Sequence, residues 1–351
     1  MTKQTATKKR YLSLALAGLL LSIFPAAAHA QYNQYNLVST AQDPNLVNGW
    51  GLAFFPTGPF WVSDNGTGLS TLYDHSGSIQ GLVVTIPTAP SQPFGPIGSP
   101  TGIVASSKGG FQVSANGSSG PSFFIYDTLD GTLSGWSPAV SFSNAILAVD
   151  NSASGAIYTG LTMATNENGT FLYAADAGNN KIDMFDSNFN LVSSFTDPAT
   201  PPGMAVYGIQ NVQGRLYVTL ANIIPLQGGA VDVFNSEGKL LQRLTGNGPE
   251  GPLEGPWGIA LAPSDFGTYS NALLVGDLDD GHINAYDPKT GVFLGQLMHP
   301  NGKAIAIKGL WALKFGAGNP ANGDKNQLFF TAGPQNFKKG LFGMIAAKGV
   351  D

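Results

Sequence analysis

The sequence predicts an all-β protein: a six-bladed β-propeller of four-stranded blades, closed by its N-terminal strand. Two observations carry this prediction, the abundance of residues that end helices and a phrase that recurs six times. Gly and Pro account for 46 and 23 of the 351 residues, which excludes an all-α fold because both destabilise helix interiors. Hydrophobic residues make up 43% and charged residues 11%, so the chain can bury a large core.

The recurring phrase consists of an aromatic or turn residue, a small residue and an aliphatic residue. It is found at Trp50–Leu52, Thr101–Ile103, Thr159–Leu161, Tyr207–Ile209, Trp257–Ile259 and Trp311–Leu313. Second, third and fourth β-rich stretches follow it; in the second repeat they are expected at Phe111–Ser114, at Ile125–Asp127 and within Val140–Val149. Repeats of about 50 residues accommodate the four strands of a propeller blade.

The closure of the ring is also predicted from the sequence. The sixth repeat lacks a fourth stretch, but Tyr35–Ser39, just before the first repeat, alternates with the period of a strand. We therefore expect this segment to complete the sixth blade. Residues 31–351 are interpreted as a single propeller domain.

Residues 1–30 have the pattern of a secretory signal peptide. A basic segment, Lys3–Arg10, precedes the apolar run Tyr11–Phe24, and Ala28 and Ala30 are the small residues that signal peptidase requires. The run is too short to span a bilayer, and no later stretch is apolar enough to do so. The sequence predicts cleavage after Ala30 and export to the periplasm or the medium.

The charge balance limits the partners. Without residues 1–30 the chain has 13 Lys and Arg against 22 Asp and Glu, a net charge of −9. This acidity disfavours nucleic acid as a partner, so an extracellular ligand or protein is expected. The chain has no Cys, so no disulfide supports the fold.

Two segments resemble a known repeat. Tyr173–Asp186 is similar to the NHL-repeat consensus, and Pro256–Ala260 is similar to the opening of its inner strand. The whole pattern, including the Asn45–Ala53 opening, resembles an uncharacterised family of exported bacterial propellers, some of which carry a PEP-CTERM sorting tail. Met344–Asp351 has no Pro-Glu-Pro motif, so a soluble protein is expected. The resemblance implies a fold and no particular reaction.

Candidate metal ligands come from the loops expected on one face of the propeller. The loops between second and third strands and those between blades emerge on this face, here called the upper face. Carboxylates recur at the ends of second strands, and Asp279 follows closely; the candidates are Asp64, Asp176, Asp277 and Asp279. Such oxygens could bind Ca²⁺, although Asp at a turn also accepts backbone N–H groups.

Candidate ligand-binding residues are predicted on the same face. Trp50, Trp257 and Trp311 occupy one repeat position and either border the channel or pack between blades, while Asn65, Asn116 and Asn222 follow second strands. The mature chain lacks a GxSxG motif and has three His. The sequence therefore favours a non-catalytic binding propeller, with a cation-dependent lactonase or esterase as the alternative.

Overall fold

A computed structural model describes residues 31–106, 110–222, 228–248 and 251–348. The predicted signal peptide, residues 1–30, lies outside the described residues. In the described part, six four-stranded antiparallel sheets form the blades of a propeller, and one two-stranded hairpin is added to them. The predicted fold class is therefore confirmed. None of the helical turns in these ranges has the length and apolarity of a membrane span.

The strands follow one another around the ring in chain order. Strand β1 is Tyr32–Ser39. Blade 1 contains β2 (Gly49–Ala53), β3 (Phe60–Asp64), β4 (Leu69–Tyr73) and β5 (Val84–Thr85). Next come β6 (Pro100–Ala105), β7 (Gln112–Ala115), β8 (Ser118–Pro121), β9 (Phe124–Thr128), β10 (Thr132–Trp136) and β11 (Ile146–Asp150).

Blade 3 contains β12 (Tyr158–Asn166), β13 (Gly169–Asp176), β14 (Lys181–Phe185) and β15 (Leu191–Phe195). Blade 4 contains β16 (Met204–Val212), β17 (Arg215–Asn222), β18 (Gly229–Phe234) and β19 (Leu240–Gly248). Blade 5 contains β20 (Pro256–Leu261), β21 (Leu273–Asp277), β22 (Ile283–Tyr286) and β23 (Phe293–Gln296). The last strands are β24 (Leu310–Phe315), β25 (Gln327–Ala332) and β26 (Leu341–Ala347), and the only helical turns in the described ranges are 3-10 turns at Ser152–Ser154 and Gly267–Tyr269.

The N-terminal strand completes blade 6, as predicted. That sheet has the order β1-β26-β25-β24, and β1 pairs antiparallel with β26 from Tyr32 to Ser39. Tyr32 and Val38 are buried, and the Tyr32 hydroxyl donates to the Phe266 carbonyl of blade 5 over 2.9 Å. The outermost strand of blade 6 is thus held on two sides, which protects the edge that closes the ring.

The predicted strand assignment of blade 2 is wrong. Strand β6 pairs directly with β9, and the sheet order is β11-β10-β9-β6. The stretch predicted as the second strand, Phe111–Ser114, belongs instead to the β7-β8 hairpin, which is inserted between the first and second strands. Short β-rich stretches look alike in sequence, because the alternation that defines a strand does not reveal its partner.

The core lies mainly between neighbouring blades. Six clusters of buried side chains each join two adjacent blades, and a seventh lies on the propeller axis. The first strands come close together around that axis. A Cβ added at Gly258 would collide with the Trp311 carbonyl, and one at Gly102 would collide with the Leu161 backbone. The glycine of the recurring phrase is therefore required by close approach of one blade to the next.

Candidate functional site in the central channel

The upper end of the central channel is filled by aromatic side chains. Trp50 and Trp311 stack with ring centroids 3.5 Å apart, and Trp257 meets Trp311 edge-on at 5.9 Å. Tyr207 also contacts Trp311, at 6.0 Å. Trp50 and Trp311 are 5% and 2% exposed. We call Trp50, Tyr207, Trp257 and Trp311 the axial cluster; it closes the channel from above.

The axial cluster can form because the same repeat position holds smaller residues in blades 2 and 3. These residues are Thr101 and Thr159, and both are buried. The Trp257 indole N–H crosses the axis to the Thr159 carbonyl, 2.7 Å away. The Trp311 indole N–H donates to Asn48 Oδ1 over 2.8 Å. The tryptophans therefore pack on one another across the channel, and they do not wedge between blades.

A buried carboxyl joins blade 2 to blade 3 in the channel wall. Asp127 Oδ1 accepts hydrogen bonds from the Thr101 hydroxyl, at 2.7 Å, and from the Gly102 N–H, at 2.5 Å. The Thr101 hydroxyl also lies 2.9 Å from the Tyr158 carbonyl of blade 3. Burial raises the pKa of Asp127 to about 7, and the Thr101 and Gly102 hydrogen bonds oppose that rise. Asp127 was predicted in the third stretch of the second repeat, but it lies on β9, the second strand of the blade 2 sheet.

The lower end of the channel contains a cavity. The lower face is the one that carries the loops between first and second strands and between third and fourth strands. A cavity of about 220 Å³ is lined there by the ends of the first strands of blades 1, 2, 3, 4 and 6. A narrower space continues inward to Trp257 and to Gly51, Gly102 and Gly258 of the first strands. The axial cluster therefore closes the inner end of this cavity.

Lys314, on β24, supplies the charge in the cavity. Its ammonium lies 5.4 Å from the centroid of the Phe54 ring, a cation–π geometry. Among the residues that the structure describes, Lys314 makes no ion pair. Lys314 is half-buried, and this partial burial lowers its pKa, because an ammonium loses hydration there without a counter-charge. An anion in the cavity would supply that charge.

Polar groups of blades 3 and 4 line the same cavity. The Thr162 hydroxyl accepts the Asn211 N–H over 3.0 Å, and the Asn211 side-chain amide donates to the Met163 carbonyl over 2.8 Å. These groups are already satisfied and hold the wall in place. Gln210 also lines the cavity and is half-buried. The cavity thus presents a cation beside neutral polar groups, an arrangement suited to binding a small anion.

The four predicted metal ligands do not form one cluster. Asp64, Asp176 and Asp277 are buried in blades 1, 3 and 5, whereas Asp279 is exposed. In the described ranges, no group of three or more His, Cys, Asp or Glu side chains is arranged to bind a metal ion. The calcium prediction therefore has no converging ligand set behind it in this part of the chain.

Each buried carboxyl has its own local environment. Asp176 accepts the Ile157 N–H and the Asn179 N–H, at 3.0 and 3.2 Å. Asp277 accepts the Asn284 side-chain amide at 2.5 Å. Burial raises the pKa of Asp64 and Asp277 well above the usual range. The carboxyls of Asp176 and Asp277 therefore accept hydrogen bonds from groups of their own blades.

The three predicted asparagines are divided between the two faces. On the upper face, Asn65 accepts the Asn48 amide at 3.1 Å and donates to the Pro100 carbonyl at 3.2 Å, so it supports the axial cluster. Asn222 ends β17 on the same face. Asn116 lies at the turn of the inserted β7-β8 hairpin, on the lower face. It was predicted to follow a second strand at the upper face, which is wrong because that hairpin extends from the opposite end of blade 2.

Sequence reasoning missed Lys314, although a signal was present. The six first strands otherwise contain no charged residue. A lysine within the most central strand of a blade must therefore face low-dielectric surroundings or a cavity. The candidate ligand-binding residues were predicted at the upper face, where the axial cluster fills the channel.

The architecture and the channel define the class of this protein as the six-bladed β-propellers, and solved structures agree. The soluble aldose sugar dehydrogenase of Escherichia coli aligns with a TM-score of 0.57 at 12% identity, covering 91% of this chain and all of the enzyme. The virginiamycin B lyase of Staphylococcus aureus aligns at 0.51 and 13%, covering 91% and 99%. A Xanthomonas campestris gluconolactonase aligns at 0.50 and 12%, covering 91% and 97%. Such identities show a shared fold only.

The chain belongs to the family of the uncharacterized protein R648 of Acanthamoeba polyphaga mimivirus. The two are 30% identical over 321 residues, spanning 86% of this chain and 76% of R648. The uncharacterized protein L690 of the same virus is 28% identical over 328 residues, spanning 88% and 83%. No protein-family model matches the chain. The NHL-like repeat and the exported bacterial family therefore stay predictions.

Proposed function

We propose that this propeller binds a small anionic ligand, most simply a carboxylate, in the lower channel cavity. The observation that carries the proposal is Lys314, an ammonium in a cavity of about 220 Å³ that makes no ion pair among the described residues. A half-buried charge without a partner loses part of its hydration with no counter-charge in return. A carboxylate would remove that cost through a charge-assisted hydrogen bond.

The remainder of the cavity supports recognition. Gln210 contributes an amide, and the backbone of the neighbouring strands is held by the Thr162 and Asn211 hydrogen bonds. A rigid polar wall around one cation binds a ligand at little ordering cost. Binding of a carboxylate in this way requires no catalytic nucleophile, and the function that we propose is therefore non-catalytic. The lactonase alternative would need a cation site, and the candidate carboxylates Asp64, Asp176 and Asp277 lie in three different blades.

The first experiment measures thermal shifts and calorimetric binding with acetate, lactate and inorganic phosphate as probes. At least one carboxylate should raise the melting temperature of the parent protein and leave Lys314→Met unchanged. Lys303→Met is the matched control, because Lys303 is exposed in the loop between blades 5 and 6. An equal response in parent and Lys314→Met, or no response to any probe, would contradict the proposal.

The pH dependence provides a second readout. Only the ammonium form of Lys314 attracts a carboxylate, and burial lowers its pKa. Affinity for the probe should therefore decrease as the pH rises through that lowered pKa, before ordinary lysines titrate near 10.4. In Lys314→Met this alkaline decrease should be absent. A decrease that is the same in both proteins would assign the effect to another group.

We further propose that the protein is exported, with cleavage after Ala30. The support is the sequence alone: a basic segment, an apolar run and small residues at the cleavage site. Protein recovered from the periplasm or the medium should begin at Gln31, as measured by N-terminal sequencing. Exported protein that retains Met1 would contradict this proposal.

A further inference from the structure

An apolar recess lies beside the proposed anion site. It has a volume of about 520 Å³ and is lined by Phe55, Thr57, Gly58, Ser106, Pro121, Ser122 and Phe123. Phe123 is 41% exposed. The Phe55 ring meets Phe123 and Phe124 edge-on, with centroids 6.1 and 5.0 Å apart. The recess therefore has an aromatic wall that is open to solvent.

The recess and the channel cavity are neighbours along two strands. On the first strand of blade 1, Phe54 lines the cavity and the next residue, Phe55, lines the recess. On blade 2, Ala105 lines the cavity and Ser106 lines the recess. The two spaces thus lie side by side at the same end of both strands. One ligand with a polar end and an apolar body can extend from one into the other.

Ser106 lies in the wall of the recess, at the blade 2 end that faces the channel cavity. Its side chain is 5% exposed, and its hydroxyl has no hydrogen-bond partner among the described residues. Buried hydroxyls normally have a partner. The neighbouring Ser122 hydroxyl donates to the Phe111 carbonyl at 2.6 Å, so that group is already satisfied. Ser106 is therefore a buried polar group in the wall of the recess.

The recess is built by the insertion in blade 2. Pro121 ends β8, and Ser122 and Phe123 connect this hairpin to β9. Within the described ranges, only blade 2 carries an additional two-stranded sheet. The insertion extends the channel wall outward on the lower face and places Phe123 opposite Phe55. The spaces of about 220 and 520 Å³ lie together within the roughly 300–1,000 Å³ that small-molecule sites occupy.

We infer that the ligand is an amphipathic carboxylic acid, whose carboxylate lies at Lys314 and whose aliphatic or aromatic body fills the recess between Phe55 and Phe123. This inference rests on the proposed function and adds the substrate class. An acid without an apolar body leaves the recess empty and binds more weakly, because the buried apolar area is missing.

Calorimetry with a series of probes tests the inference. Octanoate represents the aliphatic body and 4-phenylbutanoate the aromatic body; acetate is the head group alone and 1-octanol the body alone. At least one long acid should bind at least about tenfold more tightly than acetate and 1-octanol. The tighter of the two long acids identifies the body type.

Two variants separate this inference from the proposed function. Phe123→Ser should weaken the long acid about tenfold and leave acetate unchanged, whereas Lys314→Met should weaken both. Phe142→Ser is the matched control, because Phe142 is 68% exposed in blade 2 and does not line the recess. Phe123 is also partly exposed, so its replacement should leave the fold intact, as a melting curve would verify.

The outcomes distinguish failure of this inference from failure of the proposed function. Acetate bound through Lys314, with long acids no tighter or unaffected by Phe123→Ser, overturns the inference and leaves the proposed function standing. Acetate and octanoate that are both bound equally by parent and Lys314→Met overturn both statements, because neither acid then depends on the Lys314 ammonium. No binding of any acid overturns the proposed function, and the inference with it.

Discussion

The two ends of the central channel are built from the same repeat position and its neighbours, yet they differ in almost every property. At the upper end, four aromatic residues of the axial cluster exclude solvent. At the lower end, three or four residues further along the same strands, the wall carries Lys314, Gln210 and Asn211 around a cavity. The same six strands thus close the upper end of the channel and leave a polar cavity open at its lower end.

The difference teaches how the site is stabilised. A cavity lined by a lone ammonium weakens a protein, because it removes both packing contacts and solvation. The axial cluster compensates with large buried aromatic surfaces at the inner end of the cavity. We expect the stability of the channel to depend on the upper end and ligand recognition to depend on the lower end.

The largest expected effect is at the upper end. Trp311→Ala removes a ring that stacks on Trp50 and leaves Asn48 Oδ1 without its donor. The free energy of unfolding, measured with urea, should fall by about 3–5 kcal/mol. Phe293→Ala, on the exposed outer strand of blade 5, is the control and should change it by no more than about 0.5 kcal/mol. Similar losses in both would show that the axial cluster does not hold the channel.

A smaller effect is expected in the wall between the two ends. The pKa of Asp127 is about 7 in the folded protein, against an ordinary value of 3.8. Between these values the folded state retains a proton that the unfolded chain has lost, so Asp127 makes stability fall as the pH rises from about 4 to about 7. The slope contributed by this one group is at most about 1.4 kcal/mol per pH unit.

Asp127→Asn should remove that contribution. The amide oxygen still accepts from Gly102 and Thr101, and it carries no charge at any pH. The variant should therefore match the parent near pH 4 and be the more stable protein above pH 7, as measured by denaturant unfolding across this range. An unchanged pH profile would mean that the Asp127 carboxyl is ionised in the folded state throughout.

The smallest effect is expected from calcium at the upper face. Asp277 is buried and bonded to Asn284, whereas Asp279 is exposed. Calcium should leave the melting temperature of the parent essentially unchanged, because a ligand stabilises only through what it binds in the native state. Asp277→Asn combined with Asp279→Asn should behave alike with and without calcium. A large calcium-dependent rise that the double variant loses would establish a cation site and favour the lactonase alternative.

Comparing prediction with structure shows where sequence patterns are reliable. The recurring phrase and the unpaired Tyr35–Ser39 segment predicted six blades and their closure, because glycine spacing and strand alternation are local properties. Blade 2 was assigned wrongly, because an inserted hairpin has the same alternation as a blade strand. With it, Asn116 was placed on the wrong face.

The sequence by itself determined the architecture: only a ring of blades explains a 50-residue period, a small residue at the same position of every repeat and a missing strand supplied by the other end of the chain. Tertiary structure alone decided which end of the channel is open. The packing of Trp50 on Trp311 and the position of Lys314 beside Phe54 join blades that are about 260 residues apart in the chain. Such contacts depend on ring closure, and no local pattern encodes them.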